Sequence, residues 1–303
     1  MAASHRSWIV RQKAFDAVFS GVGIVATCVG VVTLLLLMAG LAFDGVPRLS
    51  WQFFASFPSR FAERAGILAA IVGTALVMLV TAATAVPLGA AAAVYLEEYA
   101  PKNWMTDLLE INIANLAGVP SIVYGLMALG LFVYGLRLGP SILTAGLTLA
   151  LLILPMVIIA TREAIRSVPE SIREAAFALG ATKWQTIKDH VLPYATGGTL
   201  TGLIIALSRA IGESAPLITI GALSFIAFLP HPLWQAEPPF VSFQWLLDPF
   251  TVMPIQMFNW VSRPQEDFHH NAAAAGLILM GMTLAMNGLA IYVRYRFRKR
   301  ITW

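Results

Sequence analysis

The 303-residue chain is 58% hydrophobic and only 12% charged, with a formal net charge of +4 and a mean hydropathy of +0.75. A soluble domain is about half apolar and roughly a quarter charged, so these charges are too few to keep so much apolar surface in water. That excludes a soluble globular enzyme, a disordered chain and a nucleic-acid binder of the usual kind. The single Cys28 excludes a disulfide framework or thiolate zinc site, and five scattered histidines offer no metal spacing.

Six apolar runs follow in chain order: Ala17 to Phe43, Gly66 to Leu96, Ile111 to Tyr134, Ser141 to Thr161, Thr196 to Leu229 and Ala272 to Val293. A spanning helix needs about 20 mainly apolar residues, and a backbone in bare lipid must satisfy its own hydrogen bonds. The pattern therefore predicts an all-α polytopic membrane protein with six transmembrane helices. The first run is too long for a signal-peptide core, and no clear small-residue cleavage site follows it. Pro120 breaks the third run, Pro155 lies within the fourth, and the fifth holds Arg209, Glu213 and Pro216.

With the N-terminus inside, 14 of the 20 Lys and Arg residues fall on the cytoplasmic side and five outside, with Arg209 in the membrane. That asymmetry predicts both termini cytoplasmic. The acidic loop after the second helix (Glu97, Glu98, Asp107, Glu110) does not alter this, because the rule counts Lys and Arg. The basic C-terminal cluster from Arg294 to Arg300 reads as an anchor to the membrane surface. Residues 1–60 are expected to form an N-terminal tail, first helix and external loop. Residues 61–303 form a core of five helices with a cytoplasmic loop at 162–195 and an external loop at 230–271. Proline density forbids one long helix in the external loop, and its Trp234, Trp245 and Trp260 are expected partly at headgroup level.

The cytoplasmic loop reads as two short capped helices. Ser167 to Glu170 has the form of a capping box, with Pro169 tolerated in the first turn. A helix follows over 168–179, and Gly180 stops it as a left-handed C-cap. Thr182 to Gln185 is a second capping box, starting a helix over 183–191 that Pro193 interrupts. On local chemistry a plain connector and a docking element stay open.

Along the fifth helix Gly198, Gly202, Ala206, Ala210 and Ser214 recur every four residues, a stripe for close helix packing that could also serve an inter-subunit seam. Arg209 and Glu213, four apart, can pair. Arg209 lies roughly 21 Å past the loop at 1.5 Å per residue. A charge there costs at least about 2.5–3.5 kcal/mol, so it marks a path or a structural pair. Gly212 and Pro216 predict a bend or local unwinding beside it. Pro120, Tyr124 and Gly125 could line the path where the third run is kinked, with packing against neighbouring helices the favoured reading. Trp184 could anchor to the membrane or to a partner, and Tyr95, Glu97 and Glu98 are placed to close the second helix.

Glu174-Ala175-Ala176, Gly180 and Leu192-Pro193 resemble the EAA loop of ABC-importer permeases, with His190 where isoleucine is usual. The words from Ala206 to Leu217, from Gly118 to Leu126 and from Met253 to Pro264 are similar to those of the PstA-type phosphate permease family. The resemblance covers about residue 65 to the C-terminus and implies the permease core of the methionine-importer (MetI-like) type in a bacterial cytoplasmic inner membrane. It implies a non-catalytic subunit of an ATP-driven phosphate importer working by alternating access. Glu174, Ala175, Ala176, Gly180, Leu192 and Pro193 would couple to the ATPase, and Arg209 and Glu213 would line the phosphate path. Glu213 could accept a proton from hydrogenphosphate, which sulfate at neutral pH cannot supply. The implied partners are a C-type sister permease, two ATP-binding subunits and a periplasmic phosphate-binding protein, besides membrane lipid. ATP is then bound by partners, with no cofactor here, in keeping with the lack of a Gly-x-x-x-x-Gly-Lys-Ser/Thr loop. The sister permease itself, or a permease for sulfate, molybdate or phosphonate, is the alternative. A membrane enzyme would need a nucleophile, metal set or cofactor motif, and an autonomous channel would have no use for an EAA loop.

Overall fold

The computed structural model describes residues 2–232, 240 and 242–298; Trp234, Pro238, Pro239, Lys299 and Arg300 lie outside them. All regular structure among the described residues is helical. Helix α1 spans Ala2–Gly45, and a short α2 spans Trp51–Ala55, capped by Ser50. Helix α3 (Leu68–Val94) ends in a π-helical turn at Tyr95–Tyr99. Helices α4 (Trp104–Ala117) and α5 (Ser121–Ala128) follow, the latter extended by a second π-helical turn at Leu129–Gly135. Then come α6 (Ile142–Arg166), α7 (Glu170–Ala178) and α8 (Lys183–Thr186). A π-helical turn at Ile187–Val191 leads into α9 (Leu192–Ile211). Helices α10 (Ala215–Thr219), α11 (Met253–Val261) and α12 (Glu266–Arg298) complete the chain.

Among the described residues five stretches are long and apolar enough to cross a membrane: Phe15–Arg48, Leu68–Tyr99, Ile142–Arg166, Lys183–Ile211 and Glu266–Arg296. The sixth run departs from a simple kink. Its arms, Trp104–Ala117 and Ser121–Gly135, meet at 103°, because Pro120 cannot donate the hydrogen bond that would continue α4. The 14-residue first arm is roughly 21 Å long, short of a core about 30 Å thick. Tyr124 staples the corner, its hydroxyl donating to the Leu116 carbonyl at 2.8 Å.

The fifth run also differs from expectation. Its helix stops at Ile211, not Leu229, and the described residues between 212 and 252 fold back with only short helical pieces. Such backbone is tolerated at membrane depth where protein covers it. Here Leu217, Ile220, Trp245 and Phe250 are buried against α3 and α6. Trp260 is fully buried, its ring 5.8 Å from that of Phe53. Trp245 and Trp260 are thus core residues, not headgroup anchors, because the loop folds inward and takes its indoles with it.

Helix α6 is the central element, packed between α3 and α9. Glycines allow the approach: a Cβ on Gly89 of α3 would lie 2.9 Å from Val157 Cβ, and one on Gly198 of α9 would lie 2.8 Å from Ala164 Cβ. The stripe on α9 therefore packs against α6 of the same chain, and the inter-subunit alternative for it falls. Gly202→Ala would drive a methyl into Ala160, an overpacking worth about 1–3 kcal/mol. Gly197→Ala points into open space. Thermal unfolding of the isolated subunit in detergent should show a lowered midpoint for the first and none for the second.

Helix α1 has no buried residue in its apolar window. It runs antiparallel to α12, since Gly45 abuts Ala274 and Leu41 faces Gly276. Arg48 ties the two ends, donating to Asn271 Oδ1 at 2.6 Å and to the Ala62 and Glu63 carbonyls.

Candidate functional site

The end of α9 carries the first group of predicted site residues. Arg209 Nε lies 3.4 Å from Glu213 Oε1, the pairing that their spacing of four predicts. The helix unwinds at Gly212–Ser214 and restarts at Ala215, as the flanking Gly212 and Pro216 suggested. Arg209 remains 40% exposed and Glu213 19% exposed, so the pair lies at an open face of the chain, not inside it. Arg209 Nη1 also touches Met156 Sδ on α6 at 3.4 Å. The preceding residue, Ser208, donates through Oγ to Asn287 Oδ1 of α12 at 2.5 Å. Sequence reasoning passed over Asn287, although an amide inside an apolar run was the available signal. Tyr124 is buried, and a Cβ on Gly125 would lie 2.7 Å from Pro216 Cα. Both serve the packing of α5 on α10, as expected.

The second group lies at the opposite end of α9. Gly180 has φ +84, and the N–H groups of Gly180 and Ala181 donate to Phe177 O and Ala176 O. This is the glycine C-cap that the sequence predicted. The Thr182–Gln185 capping box forms with both of its hydrogen bonds. Ser167 does not cap α7. It ends α6, donating to the Ala164 carbonyl, and Pro169 holds the N-cap position. Pro169 sets the chain extended before Glu170, which leaves Ser167 two residues too early.

Pro193 does not interrupt the second short helix either. Hydrogen bonds in the π-helical turn skip one donor, as Leu192 N–H donating to Ile187 O shows, and proline has no donor to lose. Residues 183–211 thus form one rod from the elbow to Arg209. Of the loop motif, Ala176 is buried and Leu192 and Pro193 half-buried, while Glu174, Ala175 and Gly180 face outward. His190 is exposed, so replacing the usual apolar residue costs no core contact. Phe177, Trp184 and Leu179, the last 89% exposed, are large apolar side chains left open on this element.

A charged cluster that sequence reasoning missed underlies the elbow. Arg162, buried on α6, lies between Glu97 at 3.3 Å and Glu110, which it also hydrogen-bonds. Arg166 Nε meets Glu97 at 2.9 Å, and Arg173 Nη2 meets Glu98 at 2.8 Å. Complementary charge was visible in the acidic loop and basic connector, but the pairing was not. Among the described residues no group of three or more His, Cys, Asp or Glu could hold a metal ion.

Residues 85–301 match the family described as the binding-protein-dependent transport system inner membrane component. The chain is 34% identical over 204 residues to the probable ABC transporter permease protein YqgI of Bacillus subtilis (strain 168), covering 67% of this chain and 69% of that one. It is 31% identical over 276 residues to the phosphate transport system permease protein PstA of Yersinia pestis, covering 89% and 86%. Among solved structures, a chain of the MetNI methionine ABC transporter in an inward-facing conformation superposes with a TM-score of 0.58. That match spans 76% of this chain and 97% of the other at 14% identity, a likeness of fold alone.

Proposed function

This chain belongs to the family of binding-protein-dependent transport system inner membrane components, and from that premise we propose that it is the PstA-type permease subunit of an ATP-driven phosphate importer. As a family member it is a multi-pass membrane permease subunit. The phosphate assignment rests on the similarity to the phosphate permease of Yersinia pestis along 89% of the chain. The open Arg209–Glu213 pair is the observation that supports an anion path. A half-exposed guanidinium at membrane depth needs a wet cavity or a facing partner. We read that face as turned toward a C-type sister permease, with the anion passing between the two.

Arg209 would lower the barrier for an anion crossing a low-dielectric region, and Glu213 would moderate its charge so that the anion leaves again. The exposed apolar side chains of Phe177, Leu179 and Trp184 support docking of one of two ATP-hydrolysing subunits onto the EAA loop. Large apolar side chains left open outside the bundle favour a partner surface. A periplasmic phosphate-binding protein would deliver the ion, and ATP would bind to the partners. The rod over residues 183–211 suits alternating access, because it joins the docking face to Arg209 without a break. Both termini would be cytoplasmic. The antiparallel α1 and α12 support this, since their free ends point toward the end of the bundle that carries α7. Residues 61–303 would form the transport core and residues 1–60 a peripheral arm, in keeping with the open surface of α1.

The test is uptake of labelled phosphate at micromolar concentration in cells lacking only this chain, with sulfate as control. Restoring the chain should rescue phosphate and leave sulfate unchanged. Rescue of sulfate, or of neither ion, would overturn the substrate.

A further inference from the structure

We infer that Arg173 and Glu98 form a positioning clamp that makes α3 move with the docking helix α7. The inference rests on the reading above that α7 meets an ATP-hydrolysing partner. Arg173 immediately precedes Glu174-Ala175-Ala176. Its side chain is 11% exposed and that of Glu98 10%. Nη2 and Nε meet Glu98 Oε1 at 2.8 and 3.1 Å. Nη1 donates to Val168 O at 2.9 Å and Nη2 to Ile165 O at 3.2 Å. One side chain thus joins α7, the turn after α6 and the π-helical turn that ends α3.

The clamp differs in kind from the covalent route out of α7. Going forward, the chain passes through the Gly180 cap, where the N–H groups of Gly180 and Ala181 donate to Phe177 and Ala176 and set the angle to the next helix. Going sideways, α7 is held by a buried charge pair that salt hardly screens. Burying such a pair carries a desolvation penalty, which a simple connector would not need. The neighbouring carboxylate extends the grip, since Glu97 holds Arg162 and Arg166 on α6. Glu110 brings in α4 through the same two arginines. Three carboxylates and three guanidiniums therefore bind α3, α4, α6 and α7 into one body. The rod 183–211 continues from the elbow and packs on α6 of that body through Gly198 and Gly202.

The experiment uses the assembled transporter. Glu98→Gln and Arg173→Met should each leave the ATP-hydrolysing subunits bound and hydrolysis nearly unchanged. Phosphate moved per ATP should fall about tenfold, the scale of one lost charge-assisted contact. The charge swap Glu98→Arg with Arg173→Glu should recover most of it. Unchanged transport per ATP, loss of the ATPase subunits, or no recovery in the swap would each overturn the clamp.

A second measurement does not depend on the ion carried. Spin labels at Lys102→Cys and Ser171→Cys, in a Cys28→Ser background, report the distance from the end of α3 to α7. That distance should stay fixed between nucleotide-free and ATP-bound complexes, and should spread in Glu98→Gln. A distance that changes on ATP binding with the pair intact overturns the clamp whatever the substrate. Failure of the phosphate assignment would leave that distance unaffected.

Discussion

Arg209→Ala is expected to leave the transporter assembled while cutting phosphate uptake by about ten- to a hundredfold, since a contact to a charged group is worth roughly 1.5–3 kcal/mol and each 1.4 kcal/mol is a factor of ten. Assembly should survive because the guanidinium packs little. The Arg209 side chain is 40% exposed, with polar contacts to Glu213 and Met156. The helix beneath is held by Ala206 and Ala210, which are buried and unaltered. Glu213→Gln separates two readings of the carboxylate. If it only tempers Arg209, the amide should preserve or tighten anion binding and slow release. If it takes a proton from hydrogenphosphate, uptake should fall and discrimination against sulfate should narrow. Normal uptake by Arg209→Ala would return the pair to a structural role, and unchanged transport by Glu213→Gln would remove any need for the carboxylate.

Gly180→Val should produce the other large effect. The residue has φ +84, where an L-residue pays roughly 1–2 kcal/mol and a β-branched one is a genuine outlier. Space is no obstacle, because a Cβ there meets nothing. The strain is relieved by giving up the hydrogen bonds from Gly180 and Ala181 back to Phe177 and Ala176. Helix α7 then loses its angle to α8, and the exposed Phe177 on one helix shifts relative to the exposed Trp184 on the other. The subunit should still reach the membrane, but co-purification of the ATP-hydrolysing subunits and ATP-driven uptake should both drop at least about tenfold, the equivalent of 1.4 kcal/mol. Gly180→Asn, which tolerates the left-handed region, should keep most of both. Full uptake by Gly180→Val would reject the elbow.

Local physics was legible from the residues alone. Apolar runs of spanning length become helices because lipid offers the backbone no other partner. Gly180 takes the left-handed conformation, Thr182 and Gln185 cap each other, and Arg209 reaches Glu213. Each of these depends on residues within about one helical turn, where backbone geometry fixes which side chains meet. The EAA loop and its neighbouring words were legible too, and the family match over residues 85–301 agrees with them.

Local rules also reached their limit at particular places. Pro193 and Ser167 obey turn-level preferences that tertiary packing overrode, one by a π-helical turn and the other by a shift in where α7 begins. Tryptophan suits both a headgroup layer and a protein core, so composition could not say that Trp245 and Trp260 are buried. The α9 stripe announced a close neighbour without naming it, and only the fold made that neighbour α6. Arg173 and Glu98 are 75 positions apart. Periodicity places each on its own helix, but their meeting depends on how α3, α6 and α7 are stacked. Chain-local geometry thus determined the elements, the elbow and the Arg209–Glu213 pair. The tertiary structure decided which helices touch, which indoles are dry and which charges pair, because these depend on segment placement that no short-range preference encodes.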